Sequence, residues 1–202
     1  MIKKVLTLLM AVSVGVAANL TSWAGSHGDE YAGDRYALDK DHSTVGFSIR
    51  HLGITNVRGH FNEYDGEIKI DGSDITTLSV KAVIQAASID TNNDRRDDHL
   101  RNEDFFEVET WPEITFHSRE VVPHGGGYAL VGDMTIKDVT KEVKLPVSVT
   151  EPVEDPWGNT RIGIEIKGAV DRNDFGVAYD GMGDRGIGAI ANFDIHLQAI
   201  KQ

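Results

Sequence analysis

From Tyr36 to the C-terminus, apolar and polar residues alternate with the period of two that marks strands with one buried face. Ser43, Val45, Phe47 and Ile49 share one parity, and the same alternation runs through Val80, Ala82 and Ile84, then Ile114 and Phe116. Ile162, Ile164, Ile166 and Val170 form a further set, and Ala191, Phe193, Ile195 and Leu197 close the series. Between these runs stand Asp65-Gly66, Asp71-Gly72, Gly125-Gly126-Gly127 and Trp157-Gly158-Asn159, places where positive φ is cheap. The pattern predicts a meander of antiparallel strands.

Two stretches break the alternation. Thr91 to Phe106 is dense in charge, offers Asn and Asp as N-caps and sets Leu100 near the end of a helical turn or two, so a short helical insert is expected near residues 92–104. Asp174 to Gly188 holds five glycines and no regular pattern. It reads as a loop at a barrel rim, since no strand, Gly-rich turn and helix follow one another as a phosphate cradle needs. About eight strands with short connections and one charged helix predict an all-β fold, a single antiparallel β-barrel, with a two-sheet sandwich as the open alternative.

An eight-stranded barrel is either just filled by side chains or just able to hold one small ligand, so the size of inward residues matters. Phe47, Phe61, Phe116 and Phe193 are large, whereas Ala82, Ala86, Gly168, Ala191 and Ala199 leave volume that large residues opposite must fill or a ligand can occupy. Parity also puts Ser43, His51 and Arg172 on the apolar face near strand ends, where a buried polar group needs a partner or water. Either the strands end there and the side chains reach solvent, or they ring a barrel mouth and grip a polar head group. Arg172 has a third option, a bridge to Asp97 or Asp98 of the helical insert.

The N-terminus changes the picture of where the chain works. Lys3 and Lys4, the apolar run Val5 to Ala18 and the small-residue site Ser22-Trp23-Ala24 read as a signal peptide, residues 1–24, cleaved after about Ala24. The run is about 14 residues, short of the roughly 20 a membrane helix needs, so stable membrane insertion is not expected. Residues 25–35 read as a flexible linker and 36–202 as one domain, large enough to bury a core without disulfides, there being no Cys. In a bacterium with two membranes the expected compartment is the periplasm. Loss of Lys3 and Lys4 moves the formal charge from −12 to about −14, which repels phosphate backbones and anionic membrane surfaces and argues against nucleic acid as a partner.

Eight His and many carboxylates invite an enzyme or a metal site, but the spacings do not support either. There is no His-Glu-x-x-His, no Cys for zinc and no Gly-x-Ser-x-Gly, and Asp97-Asp98-His99 alone is a weak ligand set. His60, His117 and His196 fall on outward parity and read as surface residues. No catalytic residue, metal or cofactor is therefore expected.

Seven segments occur in order: Asp39-Lys40-Asp41-His42-Ser43, His51-Leu52-Gly53, Ser88-Ile89-Asp90-Thr91, Arg96-Asp97-Asp98-His99-Leu100, Asp104-Phe105-Phe106, Trp111-Pro112-Glu113-Ile114-Thr115-Phe116 and Arg172-Asn173-Asp174-Phe175-Gly176. Together they resemble the YceI family of secreted lipocalin-like proteins, from about Tyr36 to the C-terminus. One departure is Trp111 before Pro112, where relatives often carry Tyr or another aromatic. The resemblance implies a lipocalin-like barrel with a tunnel-like cavity for polyisoprenoid-type lipids, including quinone-like or pyrophosphate-headed chains, and it leaves room for a homodimer. It marks His42-Ser43, Arg96 to Leu100 with Phe105 and Phe106, and Arg172 to Gly176. On this basis Ser43, His51, Arg96, His99 and Arg172 are candidates for a ligand head group, and Phe47, Phe105, Phe106, Phe116, Phe175 and Phe193 for its chain. The function expected is a non-catalytic periplasmic carrier of a long apolar lipid, a polyisoprenoid or isoprenoid quinone. The alternatives are a carrier of other amphiphiles such as fatty acids or amides, or a packed-core stress or interaction protein.

Overall fold

A computed structural model describes residues 33–181, 183 and 186–202. The segment read as a signal peptide lies outside the described residues, and the first strand begins at Asp34, two residues inside the stretch read as a linker.

Among the described residues, eleven strands form one antiparallel sheet: β1 Asp34–His51, β2 Thr55–Phe61, β3 Tyr64–Asp71, β4 Asp74–Gln85, β5 Ile89–Asp90, β6 Glu113–His124, β7 Gly127–Ile136, β8 Val139–Val149, β9 Val153–Glu154, β10 Thr160–Asp171 and β11 Ile187–Lys201. Eight of them close a ring in the order β1, β3, β4, β6, β7, β8, β10, β11, with β11 pairing back onto β1, so the barrel predicted from the alternation is closed and has no free edge in the ring. The short strands β5 and β9 are additions, one on β2 and one on β10.

β1 is the strand that organises the ends. Its first residues, Asp34 to Ala37, pair with β3, while Val45 to His51 pair with β2, so two strands share one edge of β1 and diverge from each other. The helix α1, Asp94–Arg101, follows β5. Asn93 caps it by accepting from the Arg96 N–H, with Asp94 and Asp97 in the first turn and His99 and Arg101 in the last, as the helix dipole favours. It falls within the expected insert.

Parity along β1 holds a surprise. Between Asp39 and Thr44 the strand takes five steps while its partner takes two, from Gln198 to His196. Three extra residues flip the facing, so Tyr36 and Leu38 point inward below the bulge, and Val45 and Phe47 above it. The Ser43 hydroxyl donates to the Asp39 carbonyl at 2.6 Å and accepts from the Gln198 N–H at 2.9 Å, and the Tyr64 hydroxyl donates to the Ser43 carbonyl at 2.7 Å. Beside this bulge Arg161 bonds Asp39 and Asp155, both at 2.6 Å, tying β1 to β10 and to the turn before it.

The barrel interior divides in two. At the end holding the N-terminus of β1, Tyr36, Ile68, Ile70, Leu78, Leu130, Ile162, Ile164 and Ala199 are all at most 3% exposed and close the core. Each large side chain there contributes about 1.5–3 kcal/mol of transfer free energy. The other end, where β1, β4, β7 and β10 finish and β2, β6, β8 and β11 begin, is hollow.

Candidate functional site

The hollow half is a cavity of about 350 Å³, near the lower bound of small-molecule pockets. Its walls come from Val45, Phe47 and Ile49 of β1, Val57 and Phe61 of β2, Ile84 of β4, Ile114 of β6, Met134 and Ile136 of β7, and Ala191, Phe193 and Ile195 of β11. These are the inward positions of the alternating runs, which is why an apolar surface results. Phe47, Phe61 and Phe106 form one aromatic wall, with ring centroids 5.6 Å apart for the first pair and 6.0 Å, edge-on, for the second.

Every polar residue that reaches the cavity sits at its open end. His51 ends β1, Thr91 follows β5, Arg96 and His99 lie on α1, and Arg172 follows β10. His99 bonds Asp104 at 2.8 Å and stands edge-on between Phe105 and Tyr179, at 5.1 and 5.0 Å. Arg96 donates Nε to the Thr91 hydroxyl at 2.7 Å and Nη2 to the Thr91 carbonyl at 2.6 Å. Thr91 in turn gives its N–H and hydroxyl to Asp97, a carboxylate buried at the base of α1. The network fixes the helix to the barrel and leaves three of the five Arg96 N–H donors without a partner among the described residues.

Arg172 is held differently. Its guanidinium donates to four backbone carbonyls: Gly188 at 3.0 Å, Val177 at 2.5 Å, Tyr179 at 3.3 Å and Ile187 at 3.2 Å. Neither Asp97 nor Asp98 bridges to it, since Asp97 serves Thr91 and Asp98 pairs with Arg101 at 3.0 Å. Burial pulls the Arg172 pKa below the ordinary arginine value, with Asp171 and Asp180 pulling it back, and the group stays charged at neutral pH. Four of its five donors are spent on carbonyls of the stretch after β10 and of the start of β11, so Arg172 builds the rim of the cavity that it also lines.

Of the residues singled out from sequence, the structure brings His51, Arg96, His99, Arg172, Phe47, Phe105, Phe106 and Phe193 to one cavity. Ser43 stands apart in the β1 bulge, and Phe116 and Phe175 are buried in the core without lining the cavity. Phe175 turns inward from the 3-10 turn Arg172–Phe175 that Gly176 ends at φ 72°. Thr91, Val177, Tyr179 and Ile187 also line the cavity and were missed. Thr91 and Tyr179 sit in segments without strand parity, so no periodic signal places them. Among the described residues, no group of three or more His, Asp or Glu is arranged to hold a metal ion, and no helix is long and apolar enough to cross a membrane.

Residues 36–199 match the model of the YceI-like domain. The chain belongs to the YceI family. A UPF0312 protein of Pectobacterium atrosepticum is 36% identical over 180 residues, covering 89% of this chain and 90% of its own length. Among solved structures, BcnA of Burkholderia cenocepacia superposes with a TM-score of 0.69 at 23% identity, over 80% of this chain and 98% of that one. A polyisoprenoid binding domain from Saccharophagus degradans, implicated in plant cell wall breakdown, gives a TM-score of 0.64 at 15% identity, over 83% and 98%. At those identities the structural likeness shows the YceI fold, and the barrel with its helical insert is that fold.

Proposed function

We propose that this YceI protein is a non-catalytic carrier that is exported to the periplasm and holds an apolar lipid, a polyisoprenoid or an isoprenoid quinone, with its head group at the cavity mouth. The observation that carries the reading is the division of the cavity: an apolar, partly aromatic interior with Arg96, Arg172, His51 and His99 all at one end. Such a site suits an amphiphile that enters tail first. The Saccharophagus domain, described as polyisoprenoid binding, has the same fold and supports the ligand class.

Physical chemistry says what must select the ligand. Each buried CH₂ gains about 0.8 kcal/mol relative to water, but a lipid comes from a bilayer as apolar as the cavity, so the chain contribution nearly cancels. Head group and cavity shape then decide. With one end closed by the packed core and a volume of about 350 Å³, the cavity takes a short chain whole or the first part of a long one.

The test is mass spectrometry of an organic extract from the protein purified without detergent from its own host's periplasm. A stoichiometric prenyl lipid supports the proposal and names the head group. A different amphiphile at stoichiometric level would keep the carrier role and overturn the ligand class. Protein recovered without ligand, and unable to take up farnesol or farnesyl pyrophosphate, would overturn both.

A further inference from the structure

The hairpin joining β1 to β2 places two large apolar side chains in water beside the cavity mouth. Leu52 is 47% exposed and Ile54 75%, and His51, immediately before them, lines the cavity. Leu52 adopts φ 52°, a left-handed conformation that Gly or Asn would take at lower cost. The tip is nevertheless held by hydrogen bonds: the Leu52 N–H donates to the Gly186 carbonyl at 2.8 Å, the Ile54 N–H to the His51 carbonyl at 3.1 Å, and Arg50 Nε to the Gly53 carbonyl at 3.2 Å. Ile190, 48% exposed, adds to the same rim from β11, whose Gly188 packs on the Arg50 stem.

Charge singles out this edge as well. The chain's net −12 repels an anionic surface as a whole, yet Arg50 and Arg58, exposed on the outward side of β1 and β2 just below the tip, have no carboxylate at ion-pair distance among the described residues, Arg50 donating instead to the Gly53 carbonyl and the Asn56 side chain. Apolar side chains at a tip, backed by cations that no carboxylate neutralises, are the arrangement that an anionic bilayer surface attracts: the apolar groups enter the acyl boundary and the cations meet lipid phosphates.

We infer that the β1–β2 hairpin tip docks this protein on an anionic bilayer, with Leu52 and Ile54 inserted and Arg50 and Arg58 on the head groups, setting the cavity mouth against the lipid surface. The inference rests on the carrier reading for its purpose, because a cargo that lives in a bilayer is exchanged most readily where the mouth meets one.

The experiment is co-sedimentation of the host-processed protein with vesicles of equal parts phosphatidylethanolamine and phosphatidylglycerol, against phosphatidylcholine alone. Binding is expected to the anionic vesicles, weakening with salt. The pair Leu52→Asn with Ile54→Ser lowers partitioning by at least about tenfold, and Arg58→Gln lowers it by about fivefold. Trp157→Ser, which removes an 80% exposed side chain in the turn before β10, leaves it unchanged. No binding, equal binding to both vesicles, or an equal loss in the Trp157 variant overturns docking. So does self-association that the Leu52 and Ile54 substitutions abolish, which would make the patch an interface between copies. Farnesol uptake is measured in parallel: uptake without vesicle binding sinks this inference alone, and vesicle binding without uptake sinks the carrier reading alone.

Discussion

Phe47 lies across Gly59, and the tip of its ring is only 2.5 Å from where a β-carbon on Gly59 would sit. The two are cross-strand partners on β1 and β2. The glycine is what lets an inward Phe lie down along the cavity wall instead of standing across the cavity. The same virtual carbon would meet the Thr91 methyl at 2.8 Å and the Asp90 carbonyl at 2.9 Å, so β5 also closes on this glycine.

Gly59→Ala is therefore expected to destabilise the protein by about 1 to 3 kcal/mol through overpacking, and to push Phe47 into the cavity. Urea unfolding reads the first effect, and loss of farnesol uptake in the folded variant reads the second. Unchanged values for both would show that the ring has room to move elsewhere.

Arg172→Met leaves four backbone carbonyls of the rim without their donor. A loss of about 2 to 4 kcal/mol is expected, with Arg172→Lys recovering only part, since an ammonium cannot reach four carbonyls from one fork. Hydrogen exchange should show the loss concentrated in Val177 to Gly188. A variant as stable as the parent would assign Arg172 to ligand rather than to structure.

Arg96 keeps three donors free of the partners described and faces the cavity. Arg96→Gln should weaken farnesyl pyrophosphate by about tenfold, the scale of one charge-assisted hydrogen bond, and farnesol much less. Titration of both ligands checks the difference. Equal loss for the two would mean that the substitution acts by loosening α1 from Thr91.

At the closed end, the Arg161 hydrogen bond holds the Asp39 carboxyl below its usual range, with His42 adding to the effect against burial. Burial works against the Asp155 charge too, but Arg161, Asn159 and two backbone N–H groups outweigh it and bring that carboxyl far down. Depressed carboxyl pKa values stabilise the fold above the unfolded-state value, about pH 4, and the contribution is lost as pH falls through the folded-state values. Arg161→Gln should be less stable at pH 7, and its deficit should shrink as pH falls below about 4. Thermal unfolding from pH 7 to pH 2 measures it, and a constant deficit across that range would count against the carboxylates as its source.

Much of this protein is legible in its sequence because the alternation of strands is local. Ile162, Ile164 and Ile166 face inward together whatever the rest of the chain does, and the residues at β1 to β11 that wall the cavity follow the same rule. The charged break at 92–104 also stands out, since Asn93 caps its own helix with a neighbour three residues on. The ordered motifs carry the family, which sequence similarity alone can establish.

Ser43 shows where local reading stops. Its parity matches Phe47, but three extra residues in β1 set it to clasp the bulge, and only the pairing with β11 reveals them. Phe116 is inward and apolar, as read, and Phe175, marked by the resemblance, is buried too, yet whether a buried residue meets a cavity or a packed neighbour depends on what lies across the barrel. Arg172 is the same lesson for a charge: the carbonyls it holds lie 5 to 16 residues away, in the stretch after β10 and at the start of β11, where no alternation marks them. The sequence by itself determined the strands, their buried faces, the helical insert and the family, because these rest on neighbours along the chain and on ordered motifs. Only the tertiary structure decided which half of the barrel is filled and which polar groups reach the mouth, because both depend on side chains brought together from strands far apart.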